Sequence, residues 1–421
     1  MYKPSKYQIY FIDSKSKYLL CYNFFTESII AVPHKHVEIA KKMLKQPNEY
    51  INNEYFEVFE SEGFIVRSHK DETFLLEQEY KNTIKESPIV ISIGNTLACN
   101  FSCFYCYQKR ENILFTKEMG DTLIHYINKL QDKTIYINWI GGEPLLNFDI
   151  MEYISKQLNI PFKSTLLTNA YLLHKYIDKI NILNLDMIYL TLDGIPDVHN
   201  SIRFTNNDNN TFQQILNNIK VIADKFPNIK IVIKTNIDKD SNFDFSQFLL
   251  LLNDLKGKVR VNPGSILEKR ENRENDEKII DFSLNYYSDL LSNGFAVYKL
   301  PRKSISGSCS AYNSDSFAIS ANGLIHKCIE GIGTKNFVIG KIKKNKLILD
   351  KEKIKKYTEF NIFSNKQCVD CKLFPYCMGG CLQNQLEKYN ELNKRCNIYS
   401  QNYIRAKLMI SEYFNHTLKM N

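Results

Sequence analysis

The cysteines of this chain are the residues whose type and spacing could do chemistry. The chain has 421 residues and 11 cysteines, and Cys99, Cys103 and Cys106 form a C-x3-C-x2-C run. Three thiolates in one loop can hold three irons of a cubane 4Fe–4S cluster, which leaves the fourth iron without a protein ligand. An open iron can bind and activate a small molecule, whereas a fully ligated cluster only carries electrons. A zinc site or an ordinary ferredoxin loop is the alternative for the three cysteines taken alone.

Short apolar runs predict the strands that position this loop. A β-branched run at 88–93 reads as a strand directly before the cysteines. The loop therefore follows the carboxyl end of a strand, where α/β sheets place their ligands. A second strand at 135–140 ends in the tetrapeptide G-G-E-P at 141–144. Glycines let a ligand approach the backbone closely, and the carboxylate that follows can pair with an ammonium group.

Three more predicted strands, at 164–167, 187–192 and 230–235, end in polar residues in the same way. The first leads into T-N-A and the second into T-L-D-G, followed by an H-N-x-x-R segment. The polar residues at or after these strand ends are Thr168, Asn169, Thr191, Asp193, His199, Asn200, Arg203 and Asn236.

Taken together, these segments resemble the defining motifs of radical S-adenosylmethionine (SAM) enzymes. In that superfamily the open iron chelates the amino and carboxylate groups of SAM, and reductive cleavage gives a 5′-deoxyadenosyl radical that abstracts a hydrogen. The resemblance implies that Glu143 receives the SAM amino group and that Arg203 pairs with the SAM carboxylate. Ala170 stands where the family usually has glycine. Tyr105 matches an aromatic position near the adenine, although packing of the loop would account for it equally well.

The resemblance thus implies a set of cofactor-binding residues and a first metal-binding set. The cofactor-binding set is Tyr105, Gly141, Gly142, Glu143, Thr168, Asn169, Thr191, Asp193, Arg203 and Asn236. The cysteines Cys99, Cys103 and Cys106 would hold the cluster that binds SAM.

Seven further cysteines form a second group, spaced C-x13-G-x4-C, then C-x2-C-x5-C-x3-C, then x14 and C. This spacing resembles the SPASM pattern of peptide-modifying radical SAM enzymes. A zinc ribbon is the alternative, but seven cysteines without histidine suit two iron–sulfur clusters better. The segment 316–327 predicts a β-hairpin with an Asn-Gly turn that would deliver Cys328 toward Cys309. The resemblance assigns Cys368, Cys371, Cys377 and Cys396 to a distal cluster, and Cys309, Cys328 and Cys381 to a proximal one.

The proximal cluster is one cysteine short, because 310–327 contains none. It would have an open iron, a non-cysteine ligand or an exogenous thiol. An open iron could bind a substrate cysteine and strip its proton. The remaining cysteine, Cys21, lies in an apolar run and is interpreted as a buried structural residue rather than a distant ligand.

Composition bounds the class and the surroundings of the protein. No apolar stretch is long enough to span a membrane, and the polar N-terminus does not look like a signal peptide. Many cysteines without such a signal favour metal over disulfides, so we expect a reducing cytoplasm. The net charge is +9, with lysines concentrated at 341–356. A solvated face accounts for that block better than nucleic-acid binding, and its lysines could also contact an acidic peptide partner or offset the negative charge of the clusters.

The expected fold class is α/β, in three segments. Residues 1–86 predict a small α+β domain that resembles, in architecture alone, the winged-helix-like leader-recognition domain of ribosomal-peptide maturases. The alternative is a cap on the barrel. Residues 87–300 alternate about six strands with helices, which predicts a partial (β/α)6 TIM-like barrel. Residues 301–421 form the SPASM cluster domain with a helical tail.

The function implied is a radical SAM enzyme with three 4Fe–4S clusters that crosslinks a ribosomally made precursor peptide. A thioether is the first choice and a carbon–carbon bond the second. The partners implied are a precursor with a leader and a reductant such as a flavodoxin or ferredoxin. The alternatives are anaerobic sulfatase maturation, maturation of another protein, and a non-catalytic electron carrier or scaffold. Sulfatase maturases place a catalytic aspartate directly after the G-x4-C cysteine. In this chain Ile329 stands there and Glu330 follows, so Glu330 is one candidate catalytic residue. Asp193 of the T-L-D-G segment is the other.

Overall fold

The structure, a computed structural model, describes residues 1–130, 133–205, 208–237, 244–265, 286–296, 299–304, 309–388 and 398–418. The chain divides into two units. One contains Met1–Glu86, Val297–Gly307 and Glu359–Asn421, and the other contains Ser87–Ala296 and Ser308–Thr358. The segment 301–421 therefore contributes to both units.

The N-terminal part of the first unit consists of two small antiparallel sheets and three helices. One sheet pairs β2 with β3 and β3 with β4, and the other pairs β1 with β5. The bounds are β1 Tyr2–Pro4, β2 Gln8–Ile12, β3 Leu19–Asn23, β4 Ser28–Val32, β5 Ile65–Arg67, α1 Val37–Lys45, α2 Phe56–Ser61 and α3 Glu72–Glu86.

Apolar runs at 8–12, 18–25, 28–32 and 64–66 predict β2 to β5, and helical patterns at 37–44 and 52–62 predict α1 and α2. The sequence predicts neither β1 nor α3. Only Glu72 and Leu76 of α3 are buried, so its apolar periodicity is weak. A tertiary contact fixes its start, where the Glu72 carboxylate accepts hydrogen bonds from Ser5 Oγ (2.6 Å) and the Lys6 amide (2.9 Å). Cys21 lies in β3 with no exposed surface, and burial raises its pKa to about 12. The structure therefore agrees with a structural cysteine.

The second unit is built on a ten-stranded sheet in the order β11-β10-β9-β8-β7-β6-β12-β13-β14-β15. The six strands β6 to β11 are parallel and adjacent in chain order, as expected for successive βα units. Their bounds are β6 Ile89–Thr96, β7 Ile135–Gly141, β8 Phe162–Thr168, β9 Leu185–Thr191, β10 Lys230–Ile237 and β11 Val259–Ser265. The large, mostly parallel sheet confirms the α/β class.

Of the five helices described between these strands, all but Pro196–Ile202 bury an apolar face. In α7, Phe212, Ile215, Ile219 and Ile222 are almost fully buried and recur at helical spacing. In α4 the N-cap Thr116 accepts a hydrogen bond from the Met119 amide. The bounds are α4 Lys117–Ile127, α5 Phe148–Gln157, α6 Pro196–Ile202, α7 Thr211–Lys225 and α8 Phe245–Leu251.

The remaining elements carry the second cysteine group. Strand β12 extends the parallel sheet beside β6, and β12 to β15 continue as antiparallel neighbours. No described helix is both long and apolar enough to cross a membrane. The bounds are β12 Phe317–Ser320, β13 Leu324–His326, β14 Val338–Lys343, β15 Lys346–Leu349, α9 Lys351–Thr358, α10 Lys366–Val369, α11 Phe374–Cys377, α12 Leu382–Lys388 and α13 Ile398–Tyr413.

Candidate active site

The cysteine loop begins three residues after β6. Its base is closed by a hydrogen bond from the Leu97 amide to the Ile113 carbonyl (2.9 Å) and one from the Glu111 amide to the Leu97 carbonyl (3.2 Å). Within the loop, Arg110 donates to the Phe101 carbonyl at 2.7 Å and to Ser102 Oγ at 2.9 Å. An arginine that bridges the loop in this way holds the turn that carries the three cysteines.

Burial shapes the chemistry of these thiols. Burial, with Glu143 nearby adding to the effect, raises the pKa of Cys99 to about 12, and burial also raises the pKa of Cys103. A bound metal takes the place of such a proton, because the thiolate is the ligand. Among the described residues, no three cysteine, histidine or acidic side chains converge on one metal ion. A cubane cluster does not require that convergence, since each thiolate binds a different iron.

The two glycines at the end of β7 lie against the backbone that leads into the cysteine loop. A Cβ at Gly142 would be 2.2 Å from the carbonyl oxygen of Ala98, and one at Gly141 would be 2.3 Å from that of Thr96. The Glu143 amide donates to the Ala98 carbonyl at 2.9 Å. Only glycine permits this approach. The pair thus fixes the G-G-E-P segment one residue from the first cysteine.

Glu143 is fully buried and joins two strand ends. Its carboxylate accepts hydrogen bonds from Thr168 Oγ1 (2.7 Å), the Asn169 amide (2.7 Å) and the Leu145 amide (3.1 Å). Burial outweighs these donors and raises the pKa of Glu143 to about 7. Asn169 also donates to the side chain of Asn100 at 2.8 Å. Glu143 and Asn169 therefore connect the T-N-A segment to the cysteine loop.

Four residues from four separate segments meet in a second buried network. Tyr105 donates its hydroxyl hydrogen to the Asp193 carboxylate, and Arg203 donates to the Tyr105 oxygen. The Asn236 amide donates to Asp193 at 2.7 Å, and Arg203 lies 3.7 Å from the same carboxylate. Burial raises the pKa of Asp193 against the opposing effect of Arg203. The Tyr105 hydroxyl is thus a polar hub, a role that the sequence does not reveal.

The three polar residues of the H-N-x-x-R segment have different contacts. His199 Nδ1 accepts from the Asp193 amide at 3.0 Å, and burial lowers its pKa well below the usual range, so it is neutral. Asn200 Oδ1 accepts from the Phe212 amide at 3.0 Å and holds the start of α7. Of this segment, Arg203 is the residue that approaches the Asp193 carboxylate. Thr191, at the end of β9, is half-buried beside that network.

The polar atoms left over in this network suit the amino-acid end of SAM. Arg203 Nε is buried without a hydrogen-bond partner among the described residues, so the guanidinium keeps a free donor. A guanidinium fork matches a carboxylate, and the Glu143 carboxylate matches an ammonium. The Arg203 guanidinium and the Glu143 carboxylate lie beside the loop that carries three cysteines. Three cysteines are the ligands of a cluster with one open iron. The residues present therefore fit SAM and its cluster.

Two cysteines of the second group, Cys309 and Cys328, lie in the second unit, separated by a loop and a β-hairpin. The predicted hairpin is confirmed: β12 and β13 pair antiparallel, and Gly323 in the turn has φ +79°. The fully buried Lys327 donates to the carbonyls of Asn313 (2.5 Å) and Ser316 (2.8 Å). This lysine joins the hairpin to the loop that begins with Cys309.

Four more cysteines lie in the first unit. The side chain of Asn365 accepts a hydrogen bond from the Cys368 amide at 3.3 Å, and the Cys371 amide donates to the Cys368 carbonyl at 3.0 Å. Between Cys377 and Cys381, three consecutive residues have positive φ, which reverses the chain. Cys396 lies outside the described residues.

Glu330 lies in the short 3-10 turn Ile329–Gly331 directly after Cys328 and is half-buried. Asp193, the other candidate catalytic residue, has its carboxylate engaged by Tyr105 and Asn236. Its contacts are those of a group that orients neighbours.

The chain is similar to known proteins over most of its length. Residues 96–246 match the family model described as the Radical SAM superfamily. The chain is 22% identical to the radical SAM cyclopropyl synthase TigE of Paramaledivibacter caminithermalis, over 81% of this chain and 78% of that protein. It is 24% identical to a cysteine-type anaerobic sulfatase-maturating enzyme of Clostridium novyi, over 68% of this chain and 86% of that protein.

Solved structures show the same fold. Native anSMEcpe with bound AdoMet and Kp18Cys peptide superposes with a TM-score of 0.58 at 18% identity, covering 79% of this chain and 98% of that one. Streptococcus suis SuiB bound to precursor peptide SuiA superposes with a TM-score of 0.50 at 18% identity, covering 92% of this chain and 97% of that one.

Proposed function

Because the chain is a radical SAM superfamily enzyme, we propose that it crosslinks a ribosomally made precursor peptide, with a thioether as the first choice of bond and a carbon–carbon bond as the second. When bound, SAM and the reduced cluster supply a 5′-deoxyadenosyl radical, which abstracts a hydrogen from carbon. The observation that carries the proposal is the second cysteine group, which contributes nothing to the SAM loop. We assign it to two auxiliary 4Fe–4S clusters.

The residues of the site bind and orient in this proposal. Arg203 would hold the SAM carboxylate through its free Nε, and Glu143 would accept from the SAM ammonium. Tyr105 and Asn236 hold Asp193 in place by hydrogen bonds. Asp193 in turn fixes the position of Arg203.

Thioether formation is preferred because the proximal auxiliary cluster lacks a fourth cysteine. A substrate thiol bound there would lose its proton to solvent, since metal coordination favours the thiolate. Formation of the C–S bond removes two hydrogens from the peptide. One would leave on 5′-deoxyadenosine and the other as a proton, and an auxiliary cluster, when bound, would accept the surplus electron.

The names of the relatives support a peptide or protein substrate. SuiB was solved with precursor peptide SuiA, and anSMEcpe with the Kp18Cys peptide. We extend this class of substrate to the chain described here. Since β2 and β4 each pair only with β3 among the described strands, either edge could accept a leader strand.

Sulfatase-type maturation is the second candidate function. A sulfatase-maturating enzyme matches 68% of the chain. Glu330 lies in the turn just after Cys328, one residue beyond the position of the base in such enzymes. Glu330→Gln would then abolish oxidation of a cysteine- or serine-containing sulfatase peptide.

The experiment that tests the proposal is anaerobic co-expression with each short reading frame encoded beside the gene, followed by high-resolution mass spectrometry. A loss of two hydrogens per crosslink supports it, and fragmentation distinguishes sulfur from carbon linkage. Unmodified peptides in every case, with SAM cleavage intact, would contradict it and direct the search to protein substrates.

A further inference from the structure

Lys234 lies on the polar face of the parallel sheet, next to the buried network that contains Asp193 and Asn236. It precedes Asn236 by two residues in β10, so the two side chains leave the strand on the same face. Asn236 Nδ2 donates to the Asp193 carboxylate at 3.2 Å, so this face of β10 is the one that faces the candidate site. The alternate residues, Ile233 and Thr235, are fully buried on the opposite face.

The Lys234 side chain occupies a niche that a glycine leaves open. Gly264 lies on the neighbouring strand β11, and a Cβ built there would be 2.6 Å from Lys234 Nζ and 3.1 Å from Cε. The lysine thus lies across this glycine rather than extending into solvent, and it is half-buried. Burial lowers the pKa of Lys234, and Asp193 opposes the shift.

Among the described residues, the ammonium group of Lys234 has no ion-pair or hydrogen-bond partner, although its backbone carbonyl accepts from the Leu192 amide at 2.9 Å. Two lysines at the opposite end of the same strands contrast with it. Lys230, four residues earlier on the same face of β10, lies 3.1 Å from Asp186, and Lys163 of β8 lies 3.7 Å from the same carboxylate. Partial burial of an ammonium group without a partner costs free energy. An anionic ligand bound at this end of the strands would supply the missing partner.

The surroundings of Lys234 are also polar. In the strand register it is opposite Thr191 of β9 and Asn262 of β11. Asn262 donates to the hydroxyl of Tyr189 at 3.0 Å across the intervening strand. Residues with hydroxyl and amide side chains therefore flank Lys234 on both neighbouring strands, as in sites that bind a carboxylate.

We propose that Lys234 binds a carboxylate of the peptide substrate and so selects which residue is placed beside SAM. This inference rests on the proposed peptide substrate, whose anionic groups are the side chains of aspartate and glutamate and the C-terminus. It assigns Lys234 to substrate recognition and makes an acidic residue near the modified position part of the recognised sequence.

Three small probes distinguish the sources of the carboxylate. They are acetyl-Gly-Glu-Gly-amide, its glutamine counterpart, and acetyl-Gly-Gly-Gly with a free C-terminus, each titrated calorimetrically into the SAM-bound holoenzyme. We expect the glutamate probe to bind at least about 10-fold more tightly than the glutamine probe, the size of one charge-assisted hydrogen bond. Tighter binding of the free C-terminus instead identifies that carboxylate as the ligand.

Variants connect the preference to the lysine. Lys234→Gln should abolish the difference between the probes and Lys234→Arg should retain it. Lys230→Gln, the matched control on the same strand face, should leave it unchanged. Equal binding of all probes to the wild type, no binding by any, or a preference that survives in Lys234→Gln would overturn the proposal. So would a Lys234→Gln variant that weakens SAM binding and leaves the probe preference intact. Because the probes need not react, failure of crosslinking leaves this test valid.

Discussion

Tyr105, one residue before the third cysteine of the loop, donates its hydroxyl hydrogen to the buried carboxylate of Asp193, which follows β9. The same oxygen accepts from Arg203. A residue of the cysteine loop is thereby hydrogen-bonded to Asp193, which follows β9, and to Arg203, which follows α6. We infer that this contact couples the position of the loop to the position of the SAM carboxylate site.

Tyr105→Phe should therefore weaken SAM binding. The change leaves the ring in place but removes a hydrogen bond to a buried carboxylate, worth about 1–3 kcal/mol, and so about a 10-fold rise in the SAM dissociation constant is expected. Equilibrium binding of SAM to the reconstituted protein measures it. Tyr107→Phe, an exposed tyrosine of the same loop, is the control. An unchanged dissociation constant in Tyr105→Phe would show that the loop and Asp193 are independent.

Glu143 should make SAM binding depend on pH near neutrality. Its pKa is raised to about 7 by burial, so it is neutral below that pH and ionised above it. Since only the carboxylate attracts an ammonium, SAM affinity should rise as the pH increases through about 7. For folding the sign is opposite. Because the native state binds the proton more tightly, the free energy of unfolding should increase as the pH falls from about 7 toward the pKa of Glu143 in the unfolded chain. Binding curves from pH 6 to 8.5 test the first statement, and Glu143→Gln should flatten them. A step of equal size in that variant would assign the titration to another group.

Gly142→Ala should loosen the cluster loop. The added Cβ would lie 2.2 Å from the Ala98 carbonyl oxygen, so the strand end or the loop must move. We expect a loss of about 2 kcal/mol or more, typical of overpacking, together with lower iron retention. Thermal unfolding and iron per chain measure both. Gly257→Ala is the control: its φ is +76° but no atom lies within 4 Å, so a cost of about 1 kcal/mol is expected there, with iron retained. Equal iron loss in both variants would contradict the close-approach argument.

Lys327→Met should reduce auxiliary iron while sparing the SAM loop. Its ammonium satisfies the carbonyls of Asn313 and Ser316, and methionine would leave both without their donor. The expected cost is about 2–4 kcal/mol, from two unsatisfied buried groups. Iron content and the melting temperature test it against Lys341→Met, an exposed lysine of β14. If the two variants retain the same iron, Lys327 does not hold the segment that begins with Cys309.

Much of the fold follows from local sequence signals. The strands of the parallel sheet are short apolar runs with β-branched residues, and each strand end is marked by polar residues, as at Asn169 and Asn236. The hairpin before Cys328 carries an Asn-Gly turn. Helix α3 escapes such reasoning because a distant contact, between Glu72 and Ser5, fixes it.

The candidate site is predictable in its members but not in its connections. Residue type and position identify Glu143 and Arg203. The sequence does not show that Glu143 joins two strand ends or that the hydroxyl of Tyr105 is a hub, because both depend on geometry across strands. Lys234 carries only a weak signal, a lysine two residues before Asn236 within an otherwise apolar strand. Its significance emerges only from Gly264 of the neighbouring strand, across which the lysine side chain lies.

The most direct test of the account is SAM cleavage by the anaerobically reconstituted chain with dithionite, measured as 5′-deoxyadenosine. The wild type should form it, and Cys103→Ala should form none, because the cluster then loses one of its three ligands. Cys21→Ala, which alters a buried cysteine outside both groups, should retain the activity. Undiminished 5′-deoxyadenosine from Cys103→Ala would contradict the assignment of the loop as the site of SAM cleavage.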